Sequence, residues 1–132
     1  MWGRIALLLV CLALAGCETS RSVYHYFVGP PKVFIVFFPA NSAALTPDAS
    51  DIVKTAAAAI RRQHPAAVQI AAGVAPGGNM EMSQPRFAAV HKLLVDDGVP
   101  DDIIARSAIP DPKLDTGPAR QRVEIRLLDK AP

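Results

Sequence analysis

NMEMSQPRFAAVHKLLVDDGVP, residues 79–100, carries most of the information about the fold. Phe87, Val90, Leu94 and Val95 recur at helical spacing and predict the inner stripe of an amphipathic helix. Ser83 reads as its N-cap, with Pro85 tolerated in the first turn. Gly98-Val99-Pro100 supplies a glycine C-cap followed by a stop. A cation at Arg86, close to the positive end of the helix dipole, is mildly unfavourable and needs a reason.

Upstream, VFIVFF (33–38) is β-branched and aromatic and lies between Pro-Pro and Pro39. It predicts a strand buried on both faces. Thr46-Pro47-Asp48 is a helix start, with Thr as cap, Pro where its missing N–H costs nothing and an acid in the first turn. Ile52, Val53, Ala56, Ala59 and Ile60 then share one face. Arg61 and Arg62 suit its last turn, and Pro65 stops it. Val68 and Ile70 alternate with Ala67, Gln69 and Ala71 in a short strand ending at Gly73.

Downstream, residues 103–109 (IIARSAI) predict a brief strand and 110–119 (PDPKLDTGPA) a surface loop. QRVEIRLL (121–128) alternates Val123, Ile125 and Leu127 with Arg122, Glu124 and Arg126, which predicts a strand with one solvated face. The order implies an α+β two-layer sandwich, of βαβαβ type with one further short strand, its two helices packed on one face of a mixed sheet.

The amino terminus has a different character. Met1–Gly16 combines Arg4, the apolar run IALLLVCLALAG and small residues before Cys17. This is the pattern of a secretory signal, with an apolar run too short to span a bilayer. Leu14-Ala15-Gly16-Cys17 resembles the lipobox of bacterial lipoproteins. That resemblance implies a signal peptide over 1–16, lipidation (palmitate and diacylglycerol) at Cys17, and a membrane anchor. Glu18 in second place favours the outer membrane by the same analogy. Cys11 would leave with the signal, so no internal disulfide can form. Residues 17–32 read as a lipidated tether. Its fifteen residues after Cys17 reach roughly 50 Å when extended. Tyr24, Tyr26 and Phe27 could meet the lipid interface or the domain.

The 132-residue chain carries a formal charge of +2. Such a balance leaves no footprint for nucleic acid. His25, His64 and His91 lack ligand spacing and read as solvated, so no metal is expected. GVAPGG lacks the Lys-Ser of a phosphate loop, no serine stands in a G-x-S-x-G context, and Asp96, Asp97, Asp101 and Asp102 form no acid–base pair. The residues call for neither an enzyme nor a cofactor.

Taken together, VFFPANSAALTPDA (36–49), AVQIAAG (67–73), residues 79–100 and RQRVEIRLL (120–128) resemble the OmpA-like C-terminal domain, a peptidoglycan-binding module of Gram-negative envelopes. The resemblance covers residues 33–129. The family motif N-x-x-L-S-x-x-R-A appears as Asn79, Met82, Ser83, Arg86 and Phe87, and N-R-R-V-E-I appears as Arg120 to Ile125. It implies a periplasmic domain that binds the diaminopimelate stem peptide of the wall through Arg86, with Asn79, Ser83 and Arg122 beside it, and links membrane to wall. A guanidinium among free helix N–H groups would grip a carboxylate there. Ala75 stands where the family places an Asp that pairs with the diaminopimelate ammonium, and the connection to Asn79 is about four residues shorter. Those departures imply an alternative: a degenerate domain acting as a protein-interaction module of an envelope complex without wall binding.

Overall fold

A computed structural model describes residues 29–72, 80–109 and 121–132. Its elements are β1 (Val33–Phe37), α1 (Pro47–Gln63), β2 (Ala67–Ala72), α2 (Met80–Asp96), a 3₁₀ turn (Asp101–Ile103), β3 (Ile104–Ser107) and β4 (Arg122–Leu128). The expected signal, Cys17, most of the tether, the 73–79 connection with Asn79 and Ala75, the 110–119 loop and His25 lie outside the described residues. No helix among the described residues is long and apolar enough to cross a membrane.

The sheet is mixed, in the order β1-β4-β2-β3. β4 runs antiparallel to both neighbours, with Phe34 opposite Ile125 and Ile70 opposite Ile125. β2 and β3 are parallel, and α2 lies in the crossover connection that a parallel pair requires. Phe34, Val36, Val68, Ile70, Val123, Ile125 and Leu127 point to one face and pack against Val53, Ala56 and Ile60 of α1 and Val90 and Leu94 of α2. Each fully buried Ile or Leu contributes about 1.5–3 kcal/mol, so this single interface is the main source of stability. The α+β two-layer sandwich is as the alternation required.

α1 follows its local signals. The Thr46 hydroxyl accepts from Ala49 N at 3.2 Å, Pro47 is the first helical residue, and His64 closes the helix with a positive φ of 48°. His64 is exposed, as expected. α1 lies along β1 in the opposite direction, so Gln63 Nε2 at its end donates to Pro31 O at 3.1 Å.

Five expectations change. β1 is an edge strand and is not buried on both faces: Val33, Ile35 and Phe37 are 50%, 43% and 51% exposed, while Phe34 and Val36 enter the core. An all-apolar run hides this period of two. α2 begins at Met80, so Ser83 is not its cap but a buried residue inside it, and Pro85 lies within the helix. The buried stripe of α2 is Ser83, Arg86, Val90 and Leu94, with Val95 exposed. The polar side of β4 is not solvated at its centre, because Glu124 is only 9% exposed. His91 is half-buried, stacked on Phe87 with ring centroids 5.5 Å apart and bonded to Asp101 at 2.6 Å.

Candidate functional site

The end of the sheet where β1, β2 and β3 finish and β4 starts also receives the first turns of α2. Helix N-termini expose unpaired N–H groups and a partial positive charge, so this is where the fold can hold an anion.

Arg86 lies in the second turn of α2 and is 6% exposed. Its Nε donates to Ser42 O at 2.8 Å and its Nη2 to Pro39 O at 3.1 Å. Its Cζ sits 5.4 Å from the centroid of the Phe38 ring. The guanidinium therefore fastens the β1–α1 connection to α2 with two charge-assisted bonds and a cation–π contact. Burial removes water from the cation and pulls its pKa below the usual arginine value. Arginine remains charged at neutral pH all the same. That arrangement answers why a cation occupies the second turn: the carbonyls of a chain reversal supply the negative end of its field.

Arg106, which the sequence did not single out, approaches the same turns from β3. It sits opposite Ile70 and so projects to the helix side of the sheet. Its Nη2 donates to Ser83 Oγ at 3.2 Å, its Nη1 donates to Gln84 Oε1, and its Cζ lies 5.6 Å from the Phe87 ring centroid. Neither Arg86 nor Arg106 forms an ion pair with a carboxylate among the described residues. No sequence-local signal marks Arg106, because its hydrogen-bond partners are 22 and 23 positions away on another element.

Arg122 starts β4 at this end but faces away from the helices. Its Nε donates to Glu124 Oε1 at 2.7 Å, and Arg126 donates to Glu124 Oε2 through Nε at 3.0 Å and through Nη2. Burial alone would raise the Glu124 pKa, but the bonds from Arg122 and Arg126 outweigh it and hold the carboxyl below its usual range. The structure thus brings Ser83, Arg86 and Arg106 together and puts Arg122 on the opposite face of the sheet. No group of His, Cys, Asp and Glu suited to a metal occurs among the described residues.

Comparison with solved structures identifies the architecture. The OmpA-like domain of FopA1 from Francisella tularensis subsp. tularensis SCHU S4 matches with a TM-score of 0.60 and 16% identity, over 70% of this chain and 69% of that one. The fold is that of an OmpA-like domain. The peptidoglycan-associated lipoprotein of Burkholderia pseudomallei matches at a TM-score of 0.58 and 17% identity, covering 70% of this chain and 88% of that one. A Helicobacter pylori MotB C-terminal domain (residues 125–256) matches at 0.58 and 20%, covering 78% and 89%. No protein-family model and no curated protein matches the sequence. The identities are low enough that these OmpA-like neighbours establish the fold alone.

Proposed function

We propose that this chain is an outer-membrane lipoprotein, anchored through Cys17, whose periplasmic OmpA-like domain binds peptidoglycan non-covalently. A stem-peptide carboxylate is received at the first turns of α2 by Arg86, Asn79 and Ser83, with Arg122 at the same end of the sheet; no enzymatic activity, metal or cofactor is involved. The observation that carries this reading is the charge at that helix end. Two guanidinium groups, Arg86 and Arg106, add to the positive end of a 17-residue helix without a carboxylate partner among the described residues. An anion placed there gains from all three sources of positive potential. The name of the Burkholderia neighbour, a peptidoglycan-associated lipoprotein, supports the same direction.

The test is co-sedimentation. Full-length protein in non-ionic detergent, mixed with purified insoluble peptidoglycan, is expected in the pellet at about ten times its level without the wall, and raised salt is expected to release it. Equal amounts in both pellets would refute the reading. For the anchor, Cys17→Ser is expected to abolish incorporation of labelled palmitate and to move the protein into the soluble periplasmic fraction. A variant that stays with the membrane would show that Cys17 is not the attachment point.

A second reading, an assembly module of an envelope complex, draws on the exposed stripe of Val33, Ile35 and Phe37. Beside it runs a groove of about 350 Å³ lined by Phe37, Phe38, Ala49 and Ile52. An apolar stripe rimmed by polar side chains suits a protein partner. Failure to sediment with the wall would favour it.

A further inference from the structure

We infer that β1 is a docking edge for a second copy of this chain, which pairs through the same strand in an antiparallel two-fold arrangement centred on Ile35. The inference is independent of wall binding and gives an occupant to the apolar stripe of the second reading above.

The backbone of β1 is half used. Its even-numbered residues bond to β4, with Leu127 N donating to Lys32 O and Phe38 N to Gln121 O at the two ends. The amides and carbonyls of Val33, Ile35 and Phe37 therefore point away from the sheet, and none of them bonds to another described residue. A lysine within an edge strand commonly discourages pairing, and β1 contains no charged residue.

The ends of the strand are symmetric. Pro31 and Pro39 stand four residues to either side of Ile35. With Ile35 opposite Ile35 of the second copy, Val33 faces Phe37 and Pro31 faces Pro39. The outward residues of each strand then exchange N–H···O bonds in both directions. The next pair in line has no N–H to give, and its carbonyls need none. Pro31 O already accepts from Gln63 Nε2 at 3.1 Å, and Pro39 O accepts from Arg86 Nη2 at 3.1 Å and Ser42 N at 3.3 Å. The paired ladder thus stops at both ends with no donor or acceptor stranded.

Side chains match in the same register. Val33, Ile35 and Phe37 are half-exposed on the sheet face away from the helices. Pairing lays the two stripes edge to edge and sets Val33 against Phe37, a favoured cross-strand combination of β-branched and aromatic residues. On the helix side, the period of two puts Lys32 of the second copy opposite Phe38. Phe38 shares its groove with Asp48, the one charged residue lining it, which forms no ion pair among the described residues. Lys32 itself pairs with the exposed Asp129, a weak contact that it can exchange. Each copy therefore offers the other a lysine for an unmatched acid.

Three half-exposed side chains and one groove fall short of the about 800 Å² per partner of a standard interface, so the pair is weak in dilute solution. Anchorage through Cys17, as proposed above, would hold copies in one membrane and raise their effective concentration.

For the test, full-length protein is followed by sedimentation equilibrium in density-matched detergent, where wild type is expected to pass from monomer to dimer across a concentration series. Ile35→Lys sets like charges face to face on the two-fold axis. It is expected to raise the dimer dissociation constant at least about tenfold, with an unchanged thermal midpoint because the side chain is exposed. Under mild oxidation, Ile35→Cys is expected to give a dimer linked through residue 35, identified by peptide mass spectrometry. Facing residues of a bonded pair have Cα atoms about 5.5 Å apart, within reach of a disulfide. Val33→Cys should not link, since its counterpart lies roughly 13 Å away along the ladder. Wild type, with Cys11 and Cys17, gives the background. A wild-type chain that stays monomeric throughout would overturn the pairing and leave the stripe to a different protein. Equal linking of Val33→Cys and Ile35→Cys would also overturn it. If Ile35→Lys does not fold, the comparison of the two cysteine variants decides. In the dilute, monomeric range, wild type and Ile35→Lys should sediment equally with peptidoglycan, so failure of wall binding and failure of pairing are read separately.

Discussion

Replacing Arg86 with alanine should lower the unfolding free energy by about 3 kcal/mol in urea titrations followed by circular dichroism. Two part-buried acceptors, Pro39 O and Ser42 O, lose their charged donor, and a hydrogen bond to a charged group contributes about 1.5–3 kcal/mol. Pro39 O retains a long bond from Ser42 N at 3.3 Å, which softens the loss at that atom. The aliphatic stem and the cation–π contact with Phe38 are lost as well. Arg86→Lys should recover about half the loss, because an ammonium can serve one carbonyl at full strength but cannot span both while stacked on the ring. An alanine variant as stable as wild type would show that the connection after β1 is held by other contacts.

Glu124→Gln should cost about 2 kcal/mol at neutral pH. The glutamine keeps the shape and one acceptor but leaves Arg122 and Arg126 beside a neutral group. Both guanidinium groups retain some solvent exposure, so the loss is smaller than for a fully buried pair. The sign of the pH effect follows from the lowered Glu124 pKa. A carboxyl that is more acidic folded than unfolded stabilises the protein fully above its unfolded value of about 4.3, and that gain is lost as the pH falls through the folded value. Wild type and variant should therefore differ by a constant amount between about pH 6 and 8 and converge below about pH 4. A gap that persists unchanged into acid would mean that the glutamate acts through shape and not through charge.

The parts of the fold that were readable in sequence were those written in local chemistry. Thr46-Pro47-Asp48 caps α1 as its residue types dictate, and Val123, Ile125 and Leu127 alternate into the core. What escaped were properties set by distant neighbours. VFIVFF shows no polar alternation, so nothing in it distinguishes an edge strand from a central one; the chain order β1-β4-β2-β3 decides that. Arg122-x-Glu124-x-Arg126 looked solvated because three charged residues on one strand face usually are. Their same-face spacing, which puts a carboxylate between two guanidinium groups, was the available sign that the centre could be shielded. Ser83 looked like a cap because serine so often is one, yet the helix extends back to Met80 and turns Ser83 inward to meet Arg106. That contact joins residues 23 positions apart, and no periodicity within either segment encodes it.

The edge of the sheet has a consequence for how the molecule behaves in concentrated solution. Leu127 N donates to Lys32 O and Phe38 N to Gln121 O, so the even-numbered residues of β1 bond inward and Val33, Ile35 and Phe37 direct their amides outward. Pro31 and Pro39 follow the same odd numbering and carry no amide hydrogen. Three consecutive outward rungs, stoppered at either end by an imino acid, are too few to template stacking of chain upon chain into fibrils. Together the two prolines let an uncharged, sticky border stay beside water without growing.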